Sequence, residues 1–192
     1  TDAGTRIDLT GSGGDGGITL TGLNADSPFG SLAAPIASLT GVARFATVNT
    51  LNLGDIAAGA RLEGNSLASL NVSRDALGDL RLTGSGVSGF VLGAAQVGGA
   101  IGGLWSITGR ANSISGESTR ADWRANISSP LTQLVIRGDA SGQFAASALQ
   151  LLQVGGSLKA MSVRIGANLG SDAVLGGSGD AADRFGAGTL AR

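Results

Sequence analysis

The chain has 192 residues, of which 42% are hydrophobic, only 14% are charged and 4% are aromatic, and 34 are glycine. It is long enough to bury the core of one domain, and that core must consist mainly of small aliphatic side chains. The net charge of −1 excludes a basic surface for nucleic acid, the absence of cysteine excludes disulfides and zinc–thiolate sites, and no apolar run is long enough to span a membrane.

The N-terminal region is rich in glycine and is predicted to be irregular. Residues 11–35 predict a ragged stretch with a protruding loop at 24–30. The run GSGGDGG at 11–17 lacks the Gly-Lys-Ser/Thr ending and the following helix of a phosphate-binding loop, so it predicts a flexible loop instead.

From residue 48 onward one spacing recurs: a large apolar residue, a second one three positions later and a third one two positions after that. The separations between copies fit a basic unit of about nine or ten residues, with two or three units in each larger repeat. The copies are Val48/Leu51/Leu53, Leu67/Leu70/Val72, Leu77/Leu80/Leu82, Leu131/Leu134/Ile136, Leu149/Leu152/Val154 and Leu158/Met161/Val163, with a degenerate copy at Ile101/Leu104/Ile107.

This spacing predicts short strands separated by corners. In a strand, residues two apart such as Leu134 and Ile136 share a face, but Leu131 can join them only if the chain bends in between. A chain that bends repeatedly in one sense winds into a parallel solenoid. We therefore predict an all-β fold: a single domain over 1–192 that forms a parallel β-solenoid (β-helix) of about seven to nine coils, clearest over 36–165, with irregular Gly/Asp-rich loops.

A helix is the alternative for one stretch. Residues 141–153, SGQFAASALQLLQ, combine good helix formers with a possible cap at Ser141. We favour strand because LQLLQVGG fits the repeated spacing, and because apolar residues at i, i+3 and i+5 do not form a helical stripe.

Two further stretches are predicted to leave the solenoid and to carry contacts with partners. Residues 110–130 are the most polar part of the chain and contain Trp123, which either anchors a partner or covers the side of the solenoid. Residues 166–188 form a long Gly/Asp-rich segment.

The phrases LASLNVSRDALGDLRLTG and LTQLVIRGDASG followed by LLQVGGSLKAMSVRIGANLG resemble the Gly-rich repeats of large bacterial surface and secreted proteins, of the haemagglutinin-like, adhesin and autotransporter-passenger types. The resemblance covers roughly residues 36–190 and lies in pattern and composition. It implies an extracellular or cell-surface role without catalysis, and it transfers no functional residue.

Little in the sequence points to catalysis. Histidine and cysteine are absent, so the usual bases and nucleophile pairs cannot form, and a Ser–Lys pair would need Lys159, which lies in a repeat. Acidic clusters would be the remaining route, as in β-helices that cleave acidic polysaccharides. These clusters are Asp75 and Asp79 beside Arg74 and Arg81, and Asp122 beside Arg120 and Arg124, and we interpret both as solvent-facing charges that pair with one another.

Calcium is the one metal that the sequence suggests. The run GGSGDAADRFG brings Asp180 and Asp183 close to glycine carbonyls, with Asp172 nearby. Calcium needs six to eight oxygen ligands, and the calcium-binding β-roll motif needs stacked copies of its nonapeptide. With one imperfect copy, we predict a solvated loop and no metal or cofactor.

The termini bear on how the chain works. It begins Thr-Asp-Ala-Gly and ends GAGTLAR, with no amphipathic cap at either end, so we expect a processed piece. Its open ends predict either stacking of subunits end to end or continuation in a longer chain.

The favoured function is a non-catalytic extracellular structural element, as filament subunit, matrix component or adhesin stalk. The alternative is a β-helix that binds or cleaves cell-surface polysaccharide, and a third hypothesis is a calcium-stabilised module.

Overall fold

The computed structural model describes residues 4–9, 17–84, 89–170, 172–173, 175–176 and 182–190. No helix occurs in these residues, and the parallel strands wind into a β-solenoid of about 8 turns, here called coils. Both the predicted fold class and the predicted number of coils are confirmed. The strands are β1 (Arg6–Asp8), β2 (Ile18–Ala25), β3 (Phe29–Ile56), β4 (Arg61–Val72), β5 (Asp79–Leu82), β6 (Leu92–Val97), β7 (Ala100–Ile101), β8 (Leu104–Ile107), β9 (Ala111–Gly116), β10 (Ser118–Thr119), β11 (Arg124–Ile127), β12 (Leu131–Ile136), β13 (Ala140–Ala146), β14 (Ala148–Val154), β15 (Leu158–Ile165), β16 (Ala167–Asn168), β17 (Arg184–Phe185) and β18 (Thr189–Leu190).

Each coil has three faces. Face A contains 67–72 of β4 with β6, β9, β12, β14 and β18, and face C contains 61–64 of β4 with β5, β8, β11, β13 and β15. Face B, which lies between them along the chain, is short and contains β7 and β10. The long strand β3 passes along all three faces without a break, and β1 and β2 pair with it.

The true repeat is one coil. From β2 to β15, residues in register on successive coils are 18 to 20 positions apart, as for Leu131 and Leu149, except in the coil of 25 that joins Leu67 to Leu92, which we call the longer coil. At the two ends the separations are again larger, because Arg6 pairs with Ser31 and Ala148 with Thr189. Copies of the apolar spacing that start at 48, 67, 131 and 149 lie on face A, whereas the copy that starts at 77 ends on face C. The predicted unit of nine or ten residues is therefore half a coil.

The predicted bend is present within the face A strands. In β12 the buried residues are Leu131, Leu134 and Ile136, and the register to both neighbouring strands skips Thr132. The backbones of neighbouring coils approach closely at this bend. Gly93 occupies the equivalent position of β6, and a Cβ added there would lie 2.2 Å from the carbonyl oxygen of Ala68 on the neighbouring coil. The irregular step lets all three apolar residues face the interior, as predicted.

Several predicted irregular stretches are regular instead. Residues 110–130 contain β9, β10 and β11, so the excursion predicted there is wrong. Polar residues fill the outward positions of these strands while Ala111 and Ile114 face inward, and polarity therefore does not interrupt the ladder. In the early region only 26–28 lies between β2 and β3, so the loop is shorter than predicted. Residues 141–153 lie in β13 and β14, which confirms strand over helix apart from Ser147.

The centre of the degenerate copy was assigned to the wrong residue. Trp105 is 1% exposed, whereas Leu104 is only partly buried, so Leu104 is not the inward residue. The register explains the difference, because Trp105 pairs with the inward Leu80 on one side and with Ala125 on the other. Small Ala125 leaves room for a large neighbour.

The two tryptophans pack against each other in the core. Trp123 is fully buried, with its ring 6.4 Å from that of Trp105 in an edge-to-face arrangement and 6.2 Å from that of Phe144 in a stacked one. Such pairs add about 0.5–1.5 kcal/mol beyond area burial. Trp123 therefore lies inside the solenoid, and neither interpretation of it as a partner anchor or an outer cover is correct.

The last coil is only partly covered. Leu158 pairs with the buried Ala140, but Leu158 itself is 60% exposed, and Met161 and Val163 of the same copy are only partly buried against the core. Among the described residues no strand pairs with the other side of β15, and β18 pairs only with Ala148 and Leu149 of β14. A solenoid residue is buried only when coils lie on both sides of it.

After β15 the chain folds back over the outside of face C. Asn126 points outward between two inward residues of β11, yet it is 3% exposed because residues 168–170 cover it. Ala145 on the neighbouring strand is covered in the same way by Ala167 and Leu169. This fold-back segment, residues 166–170, gives face C a raised wall at its C-terminal end.

Candidate functional site

The carboxylates considered for catalysis, Asp75 and Asp79, accept hydrogen bonds from the backbone. The side-chain oxygens of Asp75 and Asp79 accept hydrogen bonds from the backbone N–H groups of Ala100 (2.7 Å) and Leu104 (2.9 Å). Both bonds join residues 25 positions apart, across one turn of the longer coil. These carboxylates satisfy donors that the corner would otherwise leave unpaired.

The arginines expected beside these carboxylates lie elsewhere. Arg74 contacts Asp55 on the preceding coil, and the cation near Asp79 is Arg61, with Nε 3.7 Å from the carboxylate. Arg81 points outward from β5 toward a different part of face C. The first predicted cluster is therefore not assembled as one site.

The remaining candidates are exposed ion pairs. Asp122 accepts a hydrogen bond from Nε of Arg120 at 3.2 Å, while Arg124 extends from β11 without joining them. Lys159 contacts Asp139, which also accepts a hydrogen bond from the Ser157 N–H at 2.8 Å. The Lys159 hydrogen bond, with help from the Ser157 donor, lowers the pKa of Asp139 below its ordinary value of 3.8.

The Gly/Asp-rich segment that was considered for calcium, and predicted to be a solvated loop, is described only in part. Asp180 lies outside the described residues, and Asp183 accepts a hydrogen bond from the Gly176 N–H at 2.7 Å. In the part of the chain that the structure describes, no three acidic side chains group in a way that could hold a metal ion. The run at 11–16 likewise lies outside the described residues.

A concave surface lies on the outside of face C and runs along the solenoid axis. It consists of two adjoining cavities of about 490 and 420 Å³ that meet at Arg81 and Thr83, and we call it the face C groove. The first cavity lies between Asp26 and Arg81, and the second between Arg81 and the fold-back segment. Its polar lining residues are Asn24, Asp26, Arg44, Glu63, Asn65, Arg81, Thr83, Ser106, Thr108, Asn126, Ser128, Asn168 and Arg184.

One row of outward residues forms the floor of the groove. Asn24, Arg44, Glu63, Arg81, Ser106 and Asn126 are in register on six successive strands. The row spans five strand-to-strand steps of roughly 4.8 Å, or about 24 Å. Sequence reasoning missed this row, because its residues become neighbours only once the coil length is known.

In this row Glu63 is paired with two arginines, whereas Arg81 has no described partner. Nε of Arg44 and Nη1 of Arg61 contact the two carboxylate oxygens of Glu63 at 3.0 and 3.2 Å. On the next strand, the guanidinium of Arg81 makes no hydrogen bond or ion pair with any part of the chain that is described. Arg81 therefore places an uncompensated positive charge where the two cavities meet.

The wall of the second cavity is held by a side chain. Nδ2 of Asn126 donates to Oδ1 of Asn168 (2.9 Å) and to the carbonyl oxygen of Gly170 (2.7 Å), and Oδ1 of Asn126 accepts from the Leu169 N–H (2.9 Å). A buried amide that makes three hydrogen bonds holds the segment that it contacts in place. The wall of the second cavity is therefore fixed to face C by Asn126.

None of the described residues forms a helix that could cross a membrane. Comparison of the chain with models of protein families, with curated protein sequences and with solved structures finds no match.

Proposed function

We propose that the protein is a non-catalytic structural element of an extracellular or cell-surface assembly, in which coils of successive molecules stack end to end. Continuous backbone ladders over an aliphatic core make each molecule stiff, and its corner carboxylates are engaged by backbone donors rather than free for catalysis. The stiffness suits a filament subunit, a matrix component or an adhesin stalk.

The uncovered last coil is the observation that carries this proposal. Leu158 exposes 60% of its area at the end of the stack, where no described strand pairs with the outer edge of β15. An incoming strand would pair with this edge and cover Leu158. Because all the coils are stacked in the same direction, a second molecule in the same orientation would place its first coil against the last coil of the first molecule. The occupant we assign is a second copy of this chain.

The test is the concentration dependence of assembly. We expect light scattering coupled to size exclusion, and electron microscopy, to show growing end-to-end oligomers as protein concentration rises. Leu158→Lys places a charge in the proposed junction and should shorten or abolish the oligomers. Ile36→Lys is the control, since Ile36 is an exposed apolar residue (36%) that points outward from β3, away from the last coil. A chain that stays monomeric at every concentration, or oligomers that are equally sensitive to both substitutions, would overturn end-to-end stacking.

A second function, binding of a polysaccharide, is favoured by the face C groove. Its floor extends over about 24 Å parallel to the axis, which suits a linear polymer better than a compact ligand. Its lining of hydroxyl, amide, guanidinium and carboxylate groups can form the hydrogen bonds that a sugar chain requires. Titration calorimetry of the chain with linear oligosaccharides tests this function, and absence of heat for neutral and acidic chains alike would overturn it.

A further inference from the structure

We propose that the face C groove selects an acidic polysaccharide and that Arg81 binds one of its carboxylates. This inference rests on the second proposed function and goes beyond it, because it names the chemical class of the ligand and the residue that distinguishes it from neutral sugars.

The position and the charge of Arg81 carry the assignment. It lines both cavities, so a polymer that follows the groove must pass it. Glu63 one strand away is already shared by two arginines, and Asp26, the other acidic residue that lines the groove, follows β2, three strands away from β5. A planar guanidinium with free donors matches a carboxylate in a bidentate geometry.

Neighbouring groups fit the remainder of a sugar chain. Thr83, Ser106, Thr108 and Ser128 line the same cavity as Arg81, and Asn168 forms part of its wall. Hydroxyl groups both donate and accept hydrogen bonds, as sugar hydroxyls do. At the far wall Arg184 is a second cation in the cavity.

An acidic peptide fits this surface less well. Along the groove the strands β4, β5, β8 and β11 are all paired with their neighbours, so no free edge is available for a peptide to add as a strand. The ligand must be recognised through side chains alone. The outward side chains are almost entirely polar, and the one aromatic residue at the groove, Phe45, is 5% exposed. A hydroxyl-rich polymer is therefore favoured over a peptide with apolar anchors.

The experiment compares two sugars that share one backbone, one with free carboxylates and one with neutral methyl esters. Titration calorimetry with oligogalacturonate and with its fully methyl-esterified form is carried out on the whole chain, with oligo-glutamate as the peptide probe. We expect oligogalacturonate to bind about tenfold or more tightly than the ester, which corresponds to a hydrogen bond to a charged group. Binding of oligogalacturonate should also weaken as salt is raised.

Variants of Arg81 then identify the residue. Arg81→Gln should reduce affinity for oligogalacturonate about tenfold without changing the affinity for the ester, and Arg81→Lys should restore only part of it. Arg124→Gln is the control, because Arg124 is also an exposed outward arginine of face C but does not line the groove.

The possible outcomes distinguish selection of acidic sugars by Arg81 from polysaccharide binding in general. If both sugars bind equally and Arg81→Gln has no effect, acid selection is overturned while polysaccharide binding stands. If neither sugar binds, both are overturned. If oligo-glutamate binds as tightly as oligogalacturonate through Arg81, the assignment of the ligand to polysaccharides is overturned.

Discussion

Leu131 and Leu158 occupy the same position of the same repeated spacing, yet Leu131 is buried and Leu158 is 60% exposed. Leu131 pairs with Ala111 on one side and Leu149 on the other, whereas Leu158 has a described neighbour only in Ala140. The spacing thus determines which way a side chain faces, and the stack determines how far it is buried. Stability should accordingly be concentrated in the middle coils and fall toward the uncovered end.

The largest expected effect tests this gradient with two leucines in register. Leu134 is fully buried between Ile114 and Leu152, while Leu152 is only partly buried on the last coil. Leu134→Ala should lower the free energy of unfolding by about 2–5 kcal/mol, because it removes buried methyl groups and leaves a cavity. Leu152→Ala should cost less than half as much. Urea denaturation of both variants measures the difference, and equal losses would contradict the gradient.

A second comparison concerns two glycines with similar backbone angles. Gly142 (φ +93) lies between coils, where an added Cβ would be 2.4 Å from the Trp123 carbonyl oxygen, whereas Gly59 (φ +83) has nothing within 4 Å. Alanine at Gly59 carries only the backbone strain, about 1–2 kcal/mol, while alanine at Gly142 adds the clash and should cost roughly 2–4 kcal/mol. Thermal unfolding of Gly142→Ala and Gly59→Ala measures both, and similar melting temperatures would show that the coils can separate at no cost.

The third comparison concerns the fold-back segment and the face that it covers. Asn126→Ala removes the three hydrogen bonds that hold residues 168–170, so we expect about 1–3 kcal/mol of local destabilisation. Amide exchange should quicken at 167–170 but not in β12. Asn71→Ala is the control, because Asn71 bonds Asn52 on a neighbouring strand of the ladder and holds no separate segment. Unchanged exchange at Leu169 would mean that packing on Ala145, rather than Asn126, holds the segment.

Much of the fold could be predicted because the interior repeats. The spacing of Leu131, Leu134 and Ile136 requires a bend, and the bend leads to the solenoid. Trp123 could not be placed in the same way, since it precedes its strand and enters the core from a corner that no spacing marks. The degenerate copy places its centre at Leu104, but the residue in register with the inward Leu80 is Trp105.

The groove was beyond sequence reasoning for a related reason. Arg44, Glu63 and Arg81 are 19 and 18 residues apart and become neighbours only through the register of β3, β4 and β5. The step from Arg81 to Ser106 is 25 residues, because the longer coil intervenes. Even with Arg81 noticed, its sequence neighbours suggested a pairing with Asp79, whereas in the fold Asp79 bonds the coil above.

The smallest expected effect concerns the corner before the last coil. Since the pKa of Asp139 is lowered in the folded state, its ionised form stabilises the fold above its ordinary value of 3.8, and this contribution is lost as pH falls through the lower folded value. Asp139→Asn keeps an oxygen for the Ser157 N–H but removes the charge that faces Lys159.

The stability difference between the native chain and Asp139→Asn should therefore be small, constant near neutral pH, start to shrink as pH falls below 3.8 and vanish once pH is below the lowered folded pKa. Urea denaturation at several pH values measures it, with Asp122→Asn as an exposed ion-pair control on an inner coil. Because Lys159 lies on the last coil and Asp139 on the coil beneath, a difference that persists unchanged in acid would show that the contact does not help to hold the uncovered coil in place.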